Sequence, residues 1–110
     1  MLSWTVEITE AADREIRDLP PDLQGRFFHI SEMLEELGPQ RVGMPHVRSI
    51  GQELWEMRMS GRDGIARAIY FLAARGRRLI VVRVFVKKSR KTPRREIELA
   101  SRRMKEVRNG

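Results

Sequence analysis

The chain has 110 residues, 41% hydrophobic and 34% charged, which suits one globular domain with a single core and excludes a disordered chain. Cysteine is absent, which excludes disulfides and thiolate metal sites, and no stretch approaches the roughly 20 apolar residues of a membrane span. The net charge of +7 is uneven: residues 1–74 hold eight Lys or Arg against twelve Asp or Glu, residues 75–110 fourteen against three, so the C-terminal third carries the footprint of a polyanion binder.

The start MLSWTVEITE has neither the basic n-region nor the apolar h-region of a secretory signal, so a metal-free domain in the cytoplasm is expected. Residues 4–8 are β-prone, and Thr9 is placed to N-cap a short helix over 10–18 with Ala12, Ile16 and Leu19 on its apolar side. Pro20 and Pro21 break that helix, and Pro21 suits the first turn of the next. There Leu23, Phe27, Ile30, Leu34 and Leu37 recur at spacings of four and three, the core stripe of a helical hairpin that Gly38-Pro39 ends. Residues 40–51 have no periodicity and are expected to be loop.

Alternation returns over 53–59, with Trp55, Met57 and Met59 on one face and Leu54, Glu56 and Arg58 on the other. SGRDG at 60–64 is a turn, 64–73 a second strand, and Arg75-Gly76 a turn before a third strand over 77–86. Short connections make these three an antiparallel meander. A last helix over about 93–108 has Ile97, Ala100, Met104 and Val107 as its inner stripe. The order β-α-α-β-β-β-α over residues 1–110 predicts one α+β domain, with helices packed on a sheet.

Six cations fall within nine residues where the third strand passes into the last helix: Lys87, Lys88, Arg90, Lys91, Arg94 and Arg95. Such a run is either a solvated patch or, fixed at the end of a buried strand, a nucleic-acid contact. Arg83 shares a strand face with Phe85 and Lys87. Arg58 and Arg67 lie on adjacent predicted strands. A two-residue turn puts Arg58 opposite Arg67 or Ile69, with both arginines on one face, whereas an odd loop or a bulge separates them. Together they form a groove of fixed cations suited to phosphate; the alternative is a cross-strand ion pair of one of them with Glu56 or Glu53. Tyr70 points to the other face from Arg67, as a half-buried core tyrosine or as a hydroxyl reaching substrate at a strand end. His29 is read as a packing or surface residue. His46, in the 40–51 loop, has a side chain that serves as a base near neutral pH. No spacing for zinc, no Gly-rich phosphate loop and no Ser-His-Asp arrangement is present.

Taken together, PHVRSIGQELWEMR (45–58), GIARAIYFL (64–72) and FVKKSRKTPRREIELASRR (85–103) resemble the phage-derived, HigB-like branch of the RelE toxin superfamily. The KK-x-x-KTP segment before an acidic-apolar helix is the most specific part, and the match covers nearly the whole chain. The resemblance implies a RelE-like fold and the toxin of a type II toxin–antitoxin pair. It implies an endoribonuclease that cuts mRNA, usually in the ribosomal A site, without metal or other cofactor. The implied partner is a small antitoxin, in this branch often a helix-turn-helix, HigA-like protein. The implied reaction is attack of a ribose 2′-OH on the adjacent phosphate, leaving a 2′,3′-cyclic phosphate and a 5′-OH.

By this resemblance Arg67 is the strand arginine that stabilises the transition state, and Arg58 the charge-stabilising or base-orienting residue of the preceding strand. Lys87, Lys88 and Lys91 match the basic catalytic motif, Lys91 foremost. Arg83, Arg90, Arg94, Arg95, Tyr70 and His46 are the expected RNA contacts. Arg83-Val84 departs from relatives that carry histidine or glycine just before the F-x-KK motif, which leaves the general base open, with His46 a substitute. The rival readings are a basic RNA- or ribosome-binding module without chemistry and an inactive antitoxin-binding protein.

Overall fold

The computed structural model describes residues 3–62, 64–88 and 90–110. Asp63 of the predicted SGRDG turn and Ser89 of the KKSRKTP run lie outside the described residues, as do the first two residues.

The N-terminal strand β1 (Thr5–Ile8) leads into α1 (Glu10–Arg17), whose first turn Thr9 caps by accepting the Ala12 N–H at 3.2 Å. α2 (Pro21–Leu37) follows with Pro21 in its first turn, and its stripe of Leu23, Phe27, Ile30 and Leu34 is buried. Gly38 ends α2 at φ +83°, its N–H bonded to Leu34 O at 2.8 Å. A Cβ there would stand 2.6 Å from the Trp4 indole nitrogen, so both the φ and the close approach require glycine.

The predicted 40–51 loop is the main correction. It contains a helical turn, α3 (Pro39–Val42), and an edge strand, β2 (Val47–Gly51). Gln52 and Glu53 both take positive φ, 55° and 67°, and Gly51 pairs with Leu54, so β2 joins β3 (Leu54–Gly61) through a two-residue hairpin of the type I′ kind. β4 (Gly64–Leu72) and β5 (Arg78–Val86) complete a five-stranded sheet of order β1-β5-β4-β3-β2. β1 lies parallel to β5, and the other neighbours are antiparallel.

Alternation along the strands supplies two cores. Met57, Met59, Ala68, Tyr70 and Val81 face α1 and α2, while Leu54, Ile69, Phe71, Val82 and Phe85 face α4 (Arg94–Asn109). In the register Ile69 pairs with Arg83 and Tyr70 with Val81, so β5 carries one extra residue, a bulge at Val82. β1 stops at the Val81 level, and β5 beyond it has a bare edge. Glu15 of α1 covers that edge by accepting Val84 N–H at 3.0 Å, and Arg103 of α4 donates to Val82 O at 2.8 Å. Among the described residues no helix is long and apolar enough to cross a membrane.

Candidate functional site

Glu56 organises the α4-side surface at the far end of the sheet. The alternation of β3 directs it inward beside Leu54, at 2% exposure, where a carboxylate without partners would be costly. It accepts hydrogen bonds from Arg48 Nε of β2 at 3.1 Å, from Arg67 Nη1 of β4, and from the Thr92 hydroxyl in the segment joining β5 to α4. Arg67, only 5% exposed, also donates to Thr92 Oγ1 at 3.3 Å and to the Arg90 carbonyl at 3.2 Å. Three parts of the chain are thus held on one buried carboxylate.

Gly61 pairs with Gly64, so the turn between β3 and β4 has the even count that places Arg58 directly opposite Arg67. Both predicted outcomes for these arginines occur at once: they share a face, and Arg67 is ion-paired with Glu56. Arg58 is exposed. Lys87 follows β5, its N–H bonded to Ile65 O at 2.7 Å. Its ammonium group is held below the usual lysine range by desolvation first, then by the charges of Arg67 and Arg58, with Glu56 opposing. Arg58, Arg67 and Lys87 therefore form one electrostatic unit.

The other expected residues fall around it. His46 meets Arg58 through its carbonyl, which accepts Arg58 N–H at 2.8 Å, and the two line a hollow of about 110 Å³ with Arg48, Glu56 and Arg67. Lys88 and Lys91 line a wider hollow of about 870 Å³ with Arg94 and Arg95, on the other side of Thr92. Lys87, Lys88 and Arg90 border a third, shallow one beside Gly64 and Ile65. The structure thus joins Lys91 to the Arg58–Arg67 pair through Thr92 rather than setting it in the same hollow.

Two expected RNA contacts are corrected. Tyr70 is fully buried in the core under α1 and α2, stacked on Trp55 with ring centroids 6.4 Å apart, and burial pushes its hydroxyl pKa up. Arg83 is claimed by two carboxylates: its Nε donates to Glu96 at 2.7 Å and its Nη1 to Glu15 at 2.6 Å. The bulge at Val82 turns it toward α4, and this network ties α1, β5 and α4 together. Arg48 and Thr92 are site residues that the sequence pattern does not single out: Arg48 sits on β2, which has no periodicity to mark it as a strand, and Thr92 is the middle residue of the KTP motif. Among the described residues no group of three or more His, Cys, Asp or Glu converges as metal ligands do.

Residues 14–105 match the family model described as phage derived protein Gp49-like (DUF891). No protein of curated function matches the chain in sequence. Among solved structures, the toxin–antitoxin complex RelBE2 from Mycobacterium tuberculosis aligns with a TM-score of 0.59 at 23% identity over 81% of this chain and 97% of that one. A double mutant of the E. coli toxin RelE in the free state aligns at 0.66 and 13% identity, over 96% and 99% of the two chains. The archaeal RelE–RelB complex from Pyrococcus horikoshii aligns at 0.57 and 20% identity, over 77% and 96%. The fold is therefore the RelE-like fold.

Proposed function

The chain belongs to the phage-derived Gp49-like family, and from that premise we propose that it is the toxin of a toxin–antitoxin pair, an endoribonuclease that cuts mRNA on the ribosome in the cytoplasm. The observation that carries this reading is exposed Arg58 standing opposite buried Arg67, with Lys87 coupled to both.

Cleavage by the RNA's own 2′-OH needs three things at one phosphate. A base takes the 2′ proton, cations meet the charge that gathers on the non-bridging oxygens, and an acid protonates the 5′ oxygen as the P–O5′ bond breaks. Arg58 is exposed and offers its guanidinium as a two-pronged donor to the phosphate. Arg67, fixed by Glu56 and Thr92, adds positive field from behind at no cost of reorganisation. Lys87, whose proton is loosened by desolvation and by its arginine neighbours, is the acid. His46, across Arg58, is the base. Lys88, Lys91, Arg94 and Arg95 hold the adjoining strand.

Arg94 and Arg95 add a supporting argument. They stand in the first turn of α4, where the helix dipole disfavours cations by roughly 0.3–1 kcal/mol each. Cations placed against stability point to an anionic ligand. The two RelE-type complexes among the neighbours support an antitoxin as second partner, here a small protein, helix-turn-helix and HigA-like by the resemblance in sequence, that covers the basic face.

The burial of Arg67 on Glu56 favours a second reading, a basic module that binds RNA, the ribosome or an antitoxin without cutting. Primer extension on a defined mRNA, with and without programmed ribosomes, separates the two. Stops at the A-site codon that vanish in Arg58→Ala and Lys87→Met establish the nuclease on the ribosome. Stops on free RNA as well retain the nuclease and remove the ribosome dependence. Binding with no stops leaves the module.

A further inference from the structure

A second hollow opens beyond Arg58 and His46, and the reaction above makes no use of it. Arg26, His29 and Ile30 of α2 line one side, Arg58 and Ser60 of β3 another, and Pro45 and His46 a third, around about 380 Å³. Positions 26, 29 and 30 are spaced i, i+3 and i+4, so they stand on one face of α2. β2 pairs with β3 only as far as Met57, with one further bond from Arg58 N–H to His46 O. Among the described residues no strand lies beside the edge of β3 past Arg58, and the hollow lies along that edge.

The lining residues are two arginines, two histidines, a serine and the apolar Ile30 and Pro45, with no acidic residue among them. Its volume falls in the range of small-ligand pockets, roughly 300–1,000 Å³. Flat imidazole and proline surfaces accept the face of a nucleobase, while guanidinium groups take phosphate. His46 and Arg58 line this hollow and also the smaller one that Arg67 lines, so the two adjoin, and a strand held at the scissile phosphate has this hollow as its neighbour.

We infer that this hollow is the subsite for one nucleotide of single-stranded RNA next to the scissile phosphate, its base against His29, His46 and Pro45 and its phosphate on Arg26. The inference rests on the endoribonuclease reading and gives that site a binding element formed by α2. Arg26 and His29 are exposed and lie outside the catalytic unit, so their replacement tests the subsite without disturbing the core.

The experiment titrates a 2′-O-methyl trinucleotide, which lacks the attacking hydroxyl, into the protein while the imidazole and backbone amide resonances are followed by NMR. The expected result is movement of the His29 and His46 signals, with binding weakened about tenfold in R26A/H29A. In cleavage assays the same variant raises KM with kcat nearly unchanged, and flattens any preference for the flanking base. Shifts confined to residues 87–95, or equal binding by wild type and R26A/H29A, overturn the inference. Movement of His29 by an acidic antitoxin segment but not by the trinucleotide also overturns it and makes the hollow a protein contact. Wild type that moves His29 on binding yet never cuts RNA keeps the subsite and ends the enzyme reading.

Discussion

Arg67 and Glu56 are bonded to each other beneath the segment that carries the lysines, and Thr92 closes that segment onto the same carboxylate. The pair does two jobs: it fixes the charge of Arg67 at the candidate site and anchors residues 90–92 to the sheet. Both partners are almost fully buried, and Arg48 also pairs with Glu56, so two guanidinium groups share one carboxylate and the cluster keeps a net positive charge.

Glu56→Ala strands Arg67 without its counter-charge, and removing one member of a buried pair costs about 3–5 kcal/mol. Urea unfolding measures that loss. In the variant with Glu56→Leu and Arg67→Met together, most of the stability returns, because no buried charge remains unpaired, while cleavage does not. Cleavage restored along with stability would refute a role for the Arg67 charge.

Thr92→Val keeps the shape of the side chain and removes the hydroxyl. Hydrogen bonds to charged groups contribute roughly 1.5–3 kcal/mol, and a loss of that order is expected in chemical unfolding. Faster amide exchange confined to residues 87–92 is the second expected sign. Unchanged exchange there would mean that the segment is held by other contacts.

Much of this arrangement was legible in the sequence, for identifiable reasons. The stripe from Leu23 to Leu34 and the alternation over Trp55–Met59 are periodic over lengths that decide helix or strand. The facing of Arg58 and Arg67 was one of two outcomes open from the sequence, and the even turn between Gly61 and Gly64 decides it. β2 was hidden because it is five residues long, mostly exposed, irregular between Ser49 and Gly51, and joined by Gln52-Glu53 where Asn-Gly or Asp-Gly would have marked a hairpin. The pairing of Arg83 with Glu15 and Glu96 spans 68 and 13 residues and depends on a bulge, neither of which any local pattern encodes. The hollow on α2 escaped for a similar reason: His29 gains its neighbours only when the free edge of β3 lies against the helix.

Lys87 makes the site sensitive to pH. Its pKa in the fold lies below the unfolded value near 10.5, because desolvation, Arg67 and Arg58 disfavour its charged form. The protonated lysine therefore weighs against folding at neutral pH, and stability relative to Lys87→Met recovers as pH rises from the folded pKa through the unfolded one. Lys87→Met is expected to be slightly more stable than wild type at pH 7 and equal to it above about pH 11. As the acid, Lys87 should give a cleavage rate that falls on the alkaline side, a limb absent from Lys87→Met. An alkaline limb that survives the substitution would assign proton donation to another group.

Arg83 offers the sharpest contrast between structural and RNA-binding cations. Its guanidinium is shared by Glu15 and Glu96, and hydrogen bonding to Glu96 first, against partial burial, raises its pKa. Arg83→Met is expected to lower stability by about 1–2 kcal/mol, discounted for partial exposure, since Glu15 retains Arg103 while Glu96 loses both of its bonds to Arg83. Its effect on the salt dependence of RNA binding should be close to zero. Arg94→Ala and Arg95→Ala should behave in the opposite way, leaving stability unchanged or slightly higher because the helix dipole is relieved. Each should also reduce the slope of log K against log salt by about 0.7, the value for one contact to a single strand. Fluorescence anisotropy with a short labelled RNA at several salt concentrations, beside urea unfolding of the same variants, reads both quantities. A salt slope that drops in Arg83→Met with stability intact would return Arg83 to the RNA face and place the Glu15–Glu96 network outside the scaffold of the fold.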